Sequence, residues 1–402
     1  MNIYFNYHQI LQLWTYVCVY TNTLDLTFRY LHSRAQKWEI SMNKLKCLFM
    51  GSIITPTLAL SGGLERSELP TSFLYEDGNY IEVTYVNRNY EITDNMFAPS
   101  KSMLDDVSSL HFATKFDAGE NLSVGLARYN QAGASHNYQG GGSPIPGFSA
   151  VGPRTDLSIS ALTMMGRYSF DDFSAIGGIK ISTVADATAD IFKLSGATTA
   201  ASVEGGSDTG LIAGIAYEKP EIALRVELVY EAEASFSLPT TGGLLGAATA
   251  NTTASVPDYR TLNFQSGIAE DTLLYGSIRQ ADWSNHQVAV APQTQAAPTS
   301  DFSDSTTYTI GIGRKISDEL SLTASYKTEE ATDNTGTSLL SPTDGYKAIG
   351  AAAIYTLENG TEITVGVNYS RVGDKTITSS GVSGLYSDNT VVTSGIKVAY
   401  NF

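Results

Sequence analysis

Five polar side chains fall on three neighbouring predicted strands and could meet in the interior of a barrel. They are Arg225, Glu227, Asn263, Gln265 and Arg279. Adjacent strands lie about 4.8 Å apart, so these groups can form one network. The fork of an arginine binds a carboxylate through two parallel hydrogen bonds, which makes the cluster a candidate substrate-binding site. The alternative is a structural cluster that fills the interior, with Glu227 as the partner of both arginines.

Four further polar residues are predicted to face the same interior: His111, Lys115, Lys180 and Lys327. As single residues they are interpreted as solvated lining. The histidines after residue 60 are His111, His136 and His286, and none stands in a metal-ligand spacing or a Ser/His/acid motif. We therefore predict no enzyme activity, no metal site and no other cofactor.

Two long predicted loops are unusually apolar. The first carries Ile191, Phe192 and Leu194, and the second carries Phe236, Leu238, Leu244 and Leu245. Exposed apolar residues on long loops often mark a binding surface. We predict that these residues capture a hydrophobic ligand. The alternative is that the two loops pack against each other as a lid.

The elements that position these residues are predicted strands of about ten residues, the length that crosses a bilayer when a strand is tilted. The alternation of apolar and polar residues predicts fourteen such strands between residues 79 and 402. Short turns alternate with long loops along this whole range. Bacterial outer-membrane barrels have short periplasmic turns and long external loops. The even strand number places both ends of the barrel in the periplasm.

The two faces of the strands indicate lipid outside and polar groups inside. In the predicted strand 221–231, Leu224 and Val226 share one face, whereas Arg225 and Glu227 share the other. This arrangement is the inverse of a soluble barrel. We therefore predict an all-β fold, a transmembrane antiparallel up-and-down β-barrel of about 14 strands with a short N-terminal plug, located in the bacterial outer membrane.

The last predicted strand supports the same fold and suggests a partner. Ile396, Val398, Tyr400 and Phe402 alternate with polar or small residues, and Phe402 is the last residue of the sequence. A transmembrane barrel needs a last strand that closes against its first. The ending is similar to the signal that outer-membrane barrels present to the barrel assembly machinery. We predict that Phe402 binds that machinery and that outer-membrane lipid and lipopolysaccharide surround the barrel.

The part of the chain before the barrel divides into three predicted segments. A basic start at Met42 and the apolar stretch after it predict a secretory signal peptide over residues 42–59. Residues 1–41 are interpreted as an upstream extension from a start codon assigned too early, and a truly translated extension is the alternative. Residues 60–78 are predicted to form a short hatch, and residues 79–402 the barrel.

The charge of the chain excludes one class of partner. It has 25 Lys+Arg and 41 Asp+Glu, for a net charge of −16. So acidic a chain does not bind nucleic acid by neutralising its phosphates. The sequence also has no apolar run of about 18 residues, the length expected of a membrane-spanning helix.

Several segments of the chain carry a resemblance to a known family. They are Gly62–Ser67, Tyr217–Val226, Leu262–Arg279 and Ser341–Tyr346. Together with the fourteen predicted strands, they make the chain resemble the FadL/TodX family of outer-membrane hydrocarbon transporters. The resemblance implies passive uptake of long-chain fatty acids, aromatic hydrocarbons or other hydrophobic molecules. It also implies a periplasm-facing hatch inside the barrel and lateral exit into the bilayer through a kinked third strand.

The resemblance also assigns roles to individual parts of the chain. It implies that the two apolar loops form an outer capture groove. Gly125, in the predicted third strand 121–130, is the candidate for the kink, because glycine within a strand permits a bulge. The alternative is a glycine that makes room for a neighbour. The chain departs from the family in its hatch, since residues 60–78 are few and lack an Asn-Pro-Ala motif.

Three functions remain in competition at this point. The first is a passive transporter for hydrophobic molecules, which the apolar loops favour. The second is a general porin for small solutes with an aqueous lumen, which the short hatch favours. The third is an outer-membrane hydrolase or adhesin, for which no motif argues.

Overall fold

The computed structural model describes residues 63–96, 101–141, 152–190, 199–332, 334–379 and 381–402. The predicted extension 1–41 and signal peptide 42–59 lie outside the described residues. The same holds for three residues of the first apolar loop, Ile191, Phe192 and Leu194. The barrel strands lie within the described residues.

Fourteen antiparallel strands close into one barrel. In chain order, and called the first to the fourteenth strand below, they are Tyr80–Glu91, Val107–Asp117, Leu122–Asn137, Arg154–Phe170, Phe173–Val184, Gly206–Lys219, Leu224–Glu231, Tyr259–Ala269, Thr272–Ala281, Ser305–Lys315, Leu320–Glu329, Tyr346–Thr356, Glu362–Val372 and Thr390–Asn401. The first strand pairs with the fourteenth, from Tyr80 opposite Asn401 to Glu91 opposite Thr390, and this pairing closes the barrel. The predicted fold is confirmed.

The connections between strands alternate in length as the sequence predicted. Each short turn, such as residues 171–172 or 270–271, is followed by a long connection at the opposite end of the barrel. The end that carries the long connections is called the long-loop end below. The long connections contain additional strands, namely Ala187–Ala189, Ala201–Val203, Ala234–Gly242, Thr249–Val256, Thr335–Gly336, Lys375–Ser379 and Val382–Tyr386.

Within the described ranges, four short 3-10 helices accompany the strands. They are Ser72–Tyr75, Pro220–Ile222, Gly243–Leu245 and Trp283–Asn285. No helix among the described residues is long and apolar enough to cross a membrane.

The barrel presents apolar side chains outward and polar side chains inward. In the first strand Ile81 and Val83 are 36% and 41% exposed, whereas the alternate residues Glu82 and Thr84 are buried. A period of two puts successive side chains on opposite faces of a strand. The outer face is therefore suited to lipid, and the inner face has polar groups that must find partners in the lumen.

The seventh strand begins later than the sequence predicted. The predicted strand 221–231 starts only at Leu224, after the 3-10 turn Pro220–Ile222. Proline has no amide to donate to a ladder. Ala223, with φ 50°, then adopts the left-handed conformation that ends the turn. The first residue pair of this hairpin is Leu224 opposite Lys219.

The described part of the chain before the first strand lies inside the barrel. We call residues 63–79 the hatch. Its 3-10 helix Ser72–Tyr75 buries Phe73 and Leu74 completely. These two residues belong to an apolar cluster with residues of the barrel wall, including Ala127 and Met165. The predicted N-terminal plug is therefore present, and it is anchored by apolar packing near its middle.

Candidate lumenal site and lateral window

Two acidic residues of the hatch bind basic residues of the barrel wall. Glu65 Oε1 lies 2.6 Å from Arg279 Nη2, and Glu68 Oε1 lies 2.5 Å from Lys327 Nζ. Burial opposes the ionisation of Glu68, but attraction to Lys327 and Arg279 outweighs it and lowers the pKa of this carboxyl. These two contacts hold the hatch against the barrel wall.

Arg279 belongs to a buried ionic cluster. Its Nη2 donates to Glu65 at 2.6 Å and to Glu231 at 3.0 Å, and its Nη1 donates to Thr261 at 2.5 Å. Glu231 also accepts a hydrogen bond from Lys180 Nζ at 3.3 Å. The side chain of Arg279 is only 4% exposed. With two carboxylates already bound to it, this arginine has a structural role.

Glu227 is occupied by the hatch. It accepts hydrogen bonds from Thr71 Oγ1 and Tyr75 Oη, both at 2.6 Å, and from Asn263 Nδ2 at 2.8 Å. The expectation that Glu227 pairs with both arginines is wrong, because hatch hydroxyls reach this carboxylate instead. Arg225 stacks on Tyr75, with its Cζ 4.0 Å from the ring centre. Among the described residues no carboxylate forms an ion pair with Arg225.

The five predicted lumenal residues therefore form two groups. Arg225, Glu227, Asn263 and Gln265 line one cavity of about 250 Å³ between the hatch and the wall. Gln265 also donates from Nε2 to the carbonyl of Ala223 at 3.3 Å. Arg279 lies apart from this cavity, in the ionic cluster described above. The prediction of one continuous network among the five is wrong, because the hatch fills the space between them.

The single lumenal lysines are not solvated. Lys115, Lys180 and Lys327 are 2%, 0% and 2% exposed. Lys115 Nζ donates to the carbonyls of Glu76 at 2.6 Å and Gly78 at 2.7 Å. The interpretation as solvated lining is wrong for all three, since the hatch and the acidic residues of the wall surround them. His111 alone of the four lines the cavity.

Sequence reasoning passed over two acids of the ionic cluster. Glu231 lies on the same inward face as Glu227, so the period of two within the seventh strand was a usable signal. Glu65 lies in the hatch, where no repeating pattern indicates what a side chain meets. Among the described residues no group of His, Cys, Asp and Glu is arranged to hold a metal ion.

The backbone ladder of the barrel wall is interrupted between the second and third strands. Their ladder ends at Phe112 opposite Arg128. Beyond this pair, residues 107–111 pair with the first strand, and residues 129–130 and 132–134 pair with the fourth strand, within the described ladders. An isolated bridge between Leu104 and His136 closes the far end of the gap. We call this gap the lateral window.

The third strand is irregular beside the lateral window. A bulge places Gln131 out of register, and Gly133 follows with φ 144°. The backbone amide of Arg66 donates to the carbonyl of Gln131 at 2.8 Å, and the amide of Gly133 donates to the carbonyl of Leu64 at 2.8 Å. The hatch therefore binds the strand edge that the second strand leaves unpaired. At the bulge, backbone hydrogen bonds therefore join the hatch to the third strand beside the lateral window.

The structure places this irregularity away from Gly125. Gly125 pairs in regular register with Lys115 and Met165. A Cβ atom at this position would lie 2.4 Å from Phe73 and 2.8 Å from Leu74. Gly125 therefore makes room for the hatch, which agrees with the alternative interpretation of this residue. The irregularity of the third strand is the bulge at Gln131.

An apolar cluster lies at the long-loop end. It includes Leu64 of the hatch, Phe236 and Leu238, with Trp283 and Phe302. Phe236 and Leu238 are 5% and 2% exposed. The expectation that these two residues are exposed is wrong. They lie on the buried face of a hairpin in a region that was predicted to be a loop. Its period of two was visible in Ser235-Phe236-Ser237-Leu238.

The tip of that hairpin differs from its base. Leu244 is 45% exposed, and Leu245 beside it is half-buried, both within the 3-10 turn Gly243–Leu245. The base contributes to a small apolar cavity of about 50 Å³, lined by residues that include Leu238 and Val290. Of the predicted capture residues that the structure describes, only those at the tip are accessible.

Glu76 is a buried acid of the hatch whose Oε1 has no hydrogen-bond partner. Burial raises the pKa of Glu76 to about 8, and repulsion by Glu362 and Glu82 adds to this, while attraction to Lys397 and Arg225 partly offsets it. The hatch therefore contains a carboxyl that is stable in its neutral form at neutral pH.

Comparison with known proteins supports the fold. The structure is similar to a Pseudomonas aeruginosa FadL homologue, with a TM-score of 0.65, 14% sequence identity, and coverage of 83% of this chain and 92% of that chain. It is also similar to the toluene transporters TodX of P. putida, with a TM-score of 0.57 and 13% identity, and TbuX of Ralstonia pickettii, with 0.55 and 10%. Each comparison with these two covers 83% of this chain and 92% of the other.

These similarities concern the fold, since the identities are low. No family model matches the chain, and no curated protein sequence matches it. The chain has the fold of the FadL/TodX barrels.

Proposed function

We propose that this protein is a channel of the bacterial outer membrane that admits hydrophobic small molecules passively. The observation that carries the proposal is the lateral window, where the ladder between the second and third strands stops at Phe112 and Arg128. A gap in the wall of a barrel leads to the bilayer and not to water. Such an exit suits molecules that dissolve in lipid. The toluene transporters TodX and TbuX, which share the fold, are consistent with a substrate of this kind.

The proposed route has three parts. A hydrophobic molecule first contacts Leu244, which is exposed at the tip of the hairpin whose base belongs to the apolar cluster. It then enters the cavity of about 250 Å³ that the hatch and the wall enclose. It leaves through the lateral window, where the ladder ends at Phe112 and Arg128, two residues that also line this cavity. Fatty acids and aromatic hydrocarbons both remain candidate substrates for this route.

The general porin is the second candidate function. The charged lining of the cavity, which includes Arg88, Arg225 and Lys397, favours an aqueous lumen. The packing of the hatch argues against the porin, because Phe73 and Leu74 of the hatch are completely buried inside the barrel. A straight water-filled path must therefore displace the hatch, whereas the lateral route can leave it in place.

The environment of the barrel follows from the same proposal. Outer-membrane lipid and lipopolysaccharide surround the apolar outer face. We propose that Phe402, which is 57% exposed and stacks on Tyr400 with ring centres 6.3 Å apart, binds the barrel assembly machinery during insertion.

The test combines uptake with conductance. The purified barrel is reconstituted into vesicles with lipopolysaccharide in the outer leaflet, and albumin is enclosed to trap entering substrate. Uptake of a labelled long-chain fatty acid or of toluene, above that of vesicles without protein, supports the proposal. Large single-channel conductance with no uptake of either substrate above that background would establish the porin instead.

A further inference from the structure

We infer that the outer face of the twelfth and thirteenth strands binds a phosphate of the glycolipid in the outer leaflet, through Lys347 and Arg371. The inference goes beyond the proposed function, because it concerns the lipid that surrounds the barrel and not the molecule that passes through it. It assigns a direct contact with lipopolysaccharide to one place on the surface. It depends on two basic residues that the sequence analysis did not select.

Lys347 and Arg371 face outward at the long-loop end. Lys347 is the second residue of the twelfth strand, and Arg371 is the last but one of the thirteenth. The residues on either side of Lys347, Tyr346 and Ala348, are 4% and 3% exposed, so the period of two turns Lys347 to the outer face. The side chain of Arg371 is 68% exposed. Both cations are therefore available at the outer surface of the barrel.

The two cations lie directly opposite each other on paired strands. The ladder places Lys347 opposite Arg371. Residues in this arrangement have Cβ atoms about 4.5–5.5 Å apart, and like charges are then destabilising. Arg371 Nη2 lies 2.6 Å from Asp388 Oδ1, and within the described ranges no ion pair joins a carboxylate to Lys347. The pair therefore keeps an excess of positive charge that an anion would balance.

Asp388 does not prevent a phosphate from binding. Its side chain is 82% exposed, so the pair with Arg371 lies in water. Solvated ion pairs of this kind contribute little free energy. A phosphate has more charge than one carboxylate, and the fork of an arginine binds two of its oxygens while lysine adds a point charge. One phosphate can therefore contact both cations.

The pair lies at the height of lipid head groups. The next outward-facing pair toward the short turns is Ile349 opposite Tyr369, which are 63% and 48% exposed. Tyrosine is enriched at the boundary between membrane and water. Below Tyr369 the outer face of the thirteenth strand carries Val367 and Val365, which are 52% and 55% exposed. The cations therefore stand just beyond the apolar band, with a surface for acyl chains directly beneath them.

The row that contains the pair has a local excess of cations. Thr328 lies opposite Lys347, Thr390 lies opposite Arg371, and Glu91 follows only beyond Thr390. The chain as a whole has a net charge of −16, so direct contact with an anionic lipid needs such a place. Long connections of outer-membrane barrels face the cell exterior, where the leaflet is lipopolysaccharide with phosphates on its lipid A. The occupant we assign is therefore this phosphorylated glycolipid.

Arg260 provides the matched control. It is also an outward-facing arginine at the long-loop end, in the eighth strand, with a side chain that is 57% exposed. Its Nη2 lies 2.6 Å from Asp258 Oδ2, as Arg371 lies from Asp388. The residues opposite Arg260 are Tyr230 and Gln280, so it has no second cation beside it on the ladder. Removing it changes the net charge equally but leaves the pair intact.

The experiment measures how much lipid the purified full barrel retains in mild detergent, by native mass spectrometry. EDTA is present, because divalent cations would bridge phosphates to acidic residues. The probes are lipid A with two phosphates, the same glycolipid without phosphates, and phosphatidylglycerol. The wild type is compared with Lys347→Gln, Arg371→Gln, the double variant and Arg260→Gln. Slower gel migration after boiling verifies that each variant is a folded barrel.

Each basic residue near an anionic membrane surface contributes an amount that corresponds to about a fivefold change in affinity. We therefore expect lipid A to bind about fivefold more weakly to each single variant, roughly 25-fold more weakly to the double variant, and equally well to Arg260→Gln. Unchanged binding in the double variant, or an equal loss in Arg260→Gln, overturns the inference. Wild-type binding of the phosphate-free glycolipid as tightly as lipid A would exclude phosphate recognition. Equal binding of phosphatidylglycerol would overturn the assignment to the glycolipid.

Discussion

Two buried arginines inside this barrel have opposite surroundings. Arg279 donates to Glu65, Glu231 and Thr261, so its charge is balanced by two carboxylates. Arg88 donates from Nη2 to Arg66 and Ser67, and its other two nitrogens have no partner. The first arginine is committed to the folded structure, whereas the second has two unsatisfied donors. The number of satisfied donors distinguishes these roles, although residue type and burial are the same.

The comparison explains why the partners of Arg279 could not be predicted from the sequence. Arg279 lies on a strand near Glu227 and Asn263, in a group of polar residues that resembled a binding site. Its partner Glu65 comes from the hatch, which is distant in sequence. An arginine can therefore form a structural ion pair with an acid that no local pattern in the sequence indicates.

The largest effect is expected from removing the committed arginine. Arg279→Ala leaves Glu65 and Glu231 buried with only Lys180 as a basic partner in this cluster. Breaking a buried ionic group by removing one member costs about 3–5 kcal/mol. We expect a lower free energy of unfolding in a urea titration. We also expect the change from the faster-migrating folded form to the slower-migrating unfolded form on gels to occur at a lower temperature. An unfolding free energy equal to that of the wild type would show that Arg279 is not committed to the structure.

The opposite change in stability is expected for Arg128→Leu. A lipid-facing arginine costs about 2–4 kcal/mol at the bilayer centre and less toward the interface, so leucine should stabilise the barrel. The urea midpoint in lipid vesicles should rise, with Arg314→Leu as the reference for an arginine near a strand end. A higher midpoint would show that Arg128, which is exposed on the outer face of the third strand, lowers the stability of the barrel. A lower midpoint would show that it serves the fold.

Glu76 extends the comparison to an unpartnered acid. Burial raises the pKa of Glu76 to about 8 from an ordinary value of 4.5. Between these values the folded protein binds a proton that the unfolded chain has released, so stability falls as pH rises across this range. Glu76→Gln, which stays neutral, should reduce this slope. The unfolding free energies of both proteins are measured from pH 5 to about pH 8.5, and parallel curves would contradict the assignment of Glu76.

The barrel could be predicted from the sequence because its signals are local. Alternation along a strand, as in Ile81, Glu82 and Val83, and the lengths of connections depend on neighbouring residues only. The partners of Glu227 could not be predicted, since Thr71 and Tyr75 come from a hatch without any repeating pattern. The bulge at Gln131 likewise depends on the hatch backbone that binds there. Local periodicity determines the wall, and long-range contacts determine what the lumen contains.

The smallest effect on stability is expected at the tip of the hairpin 234–256. Here an exposed apolar residue at the tip is compared with a buried one at the base. Phe236 at the base is 5% exposed, and Leu244 at the tip is 45% exposed. Leu244→Ser should change the unfolding free energy by less than about 0.5 kcal/mol, as is usual for surface sites. Phe236→Ser, by contrast, should destabilise the barrel by about 3 kcal/mol or more.

Leu244→Ser should nevertheless weaken capture of a hydrophobic substrate. Losing about 40 Å² of apolar contact at 25 cal/mol per Å² corresponds to about 1 kcal/mol, or roughly a fivefold slower uptake at low substrate concentration. The loss should be equal for a long-chain fatty acid and for the fatty alcohol with the same tail, because the tip contacts the tail and not the head. A selective loss for the acid would place head-group recognition at the long-loop end and contradict the role of Leu244 in binding the tail.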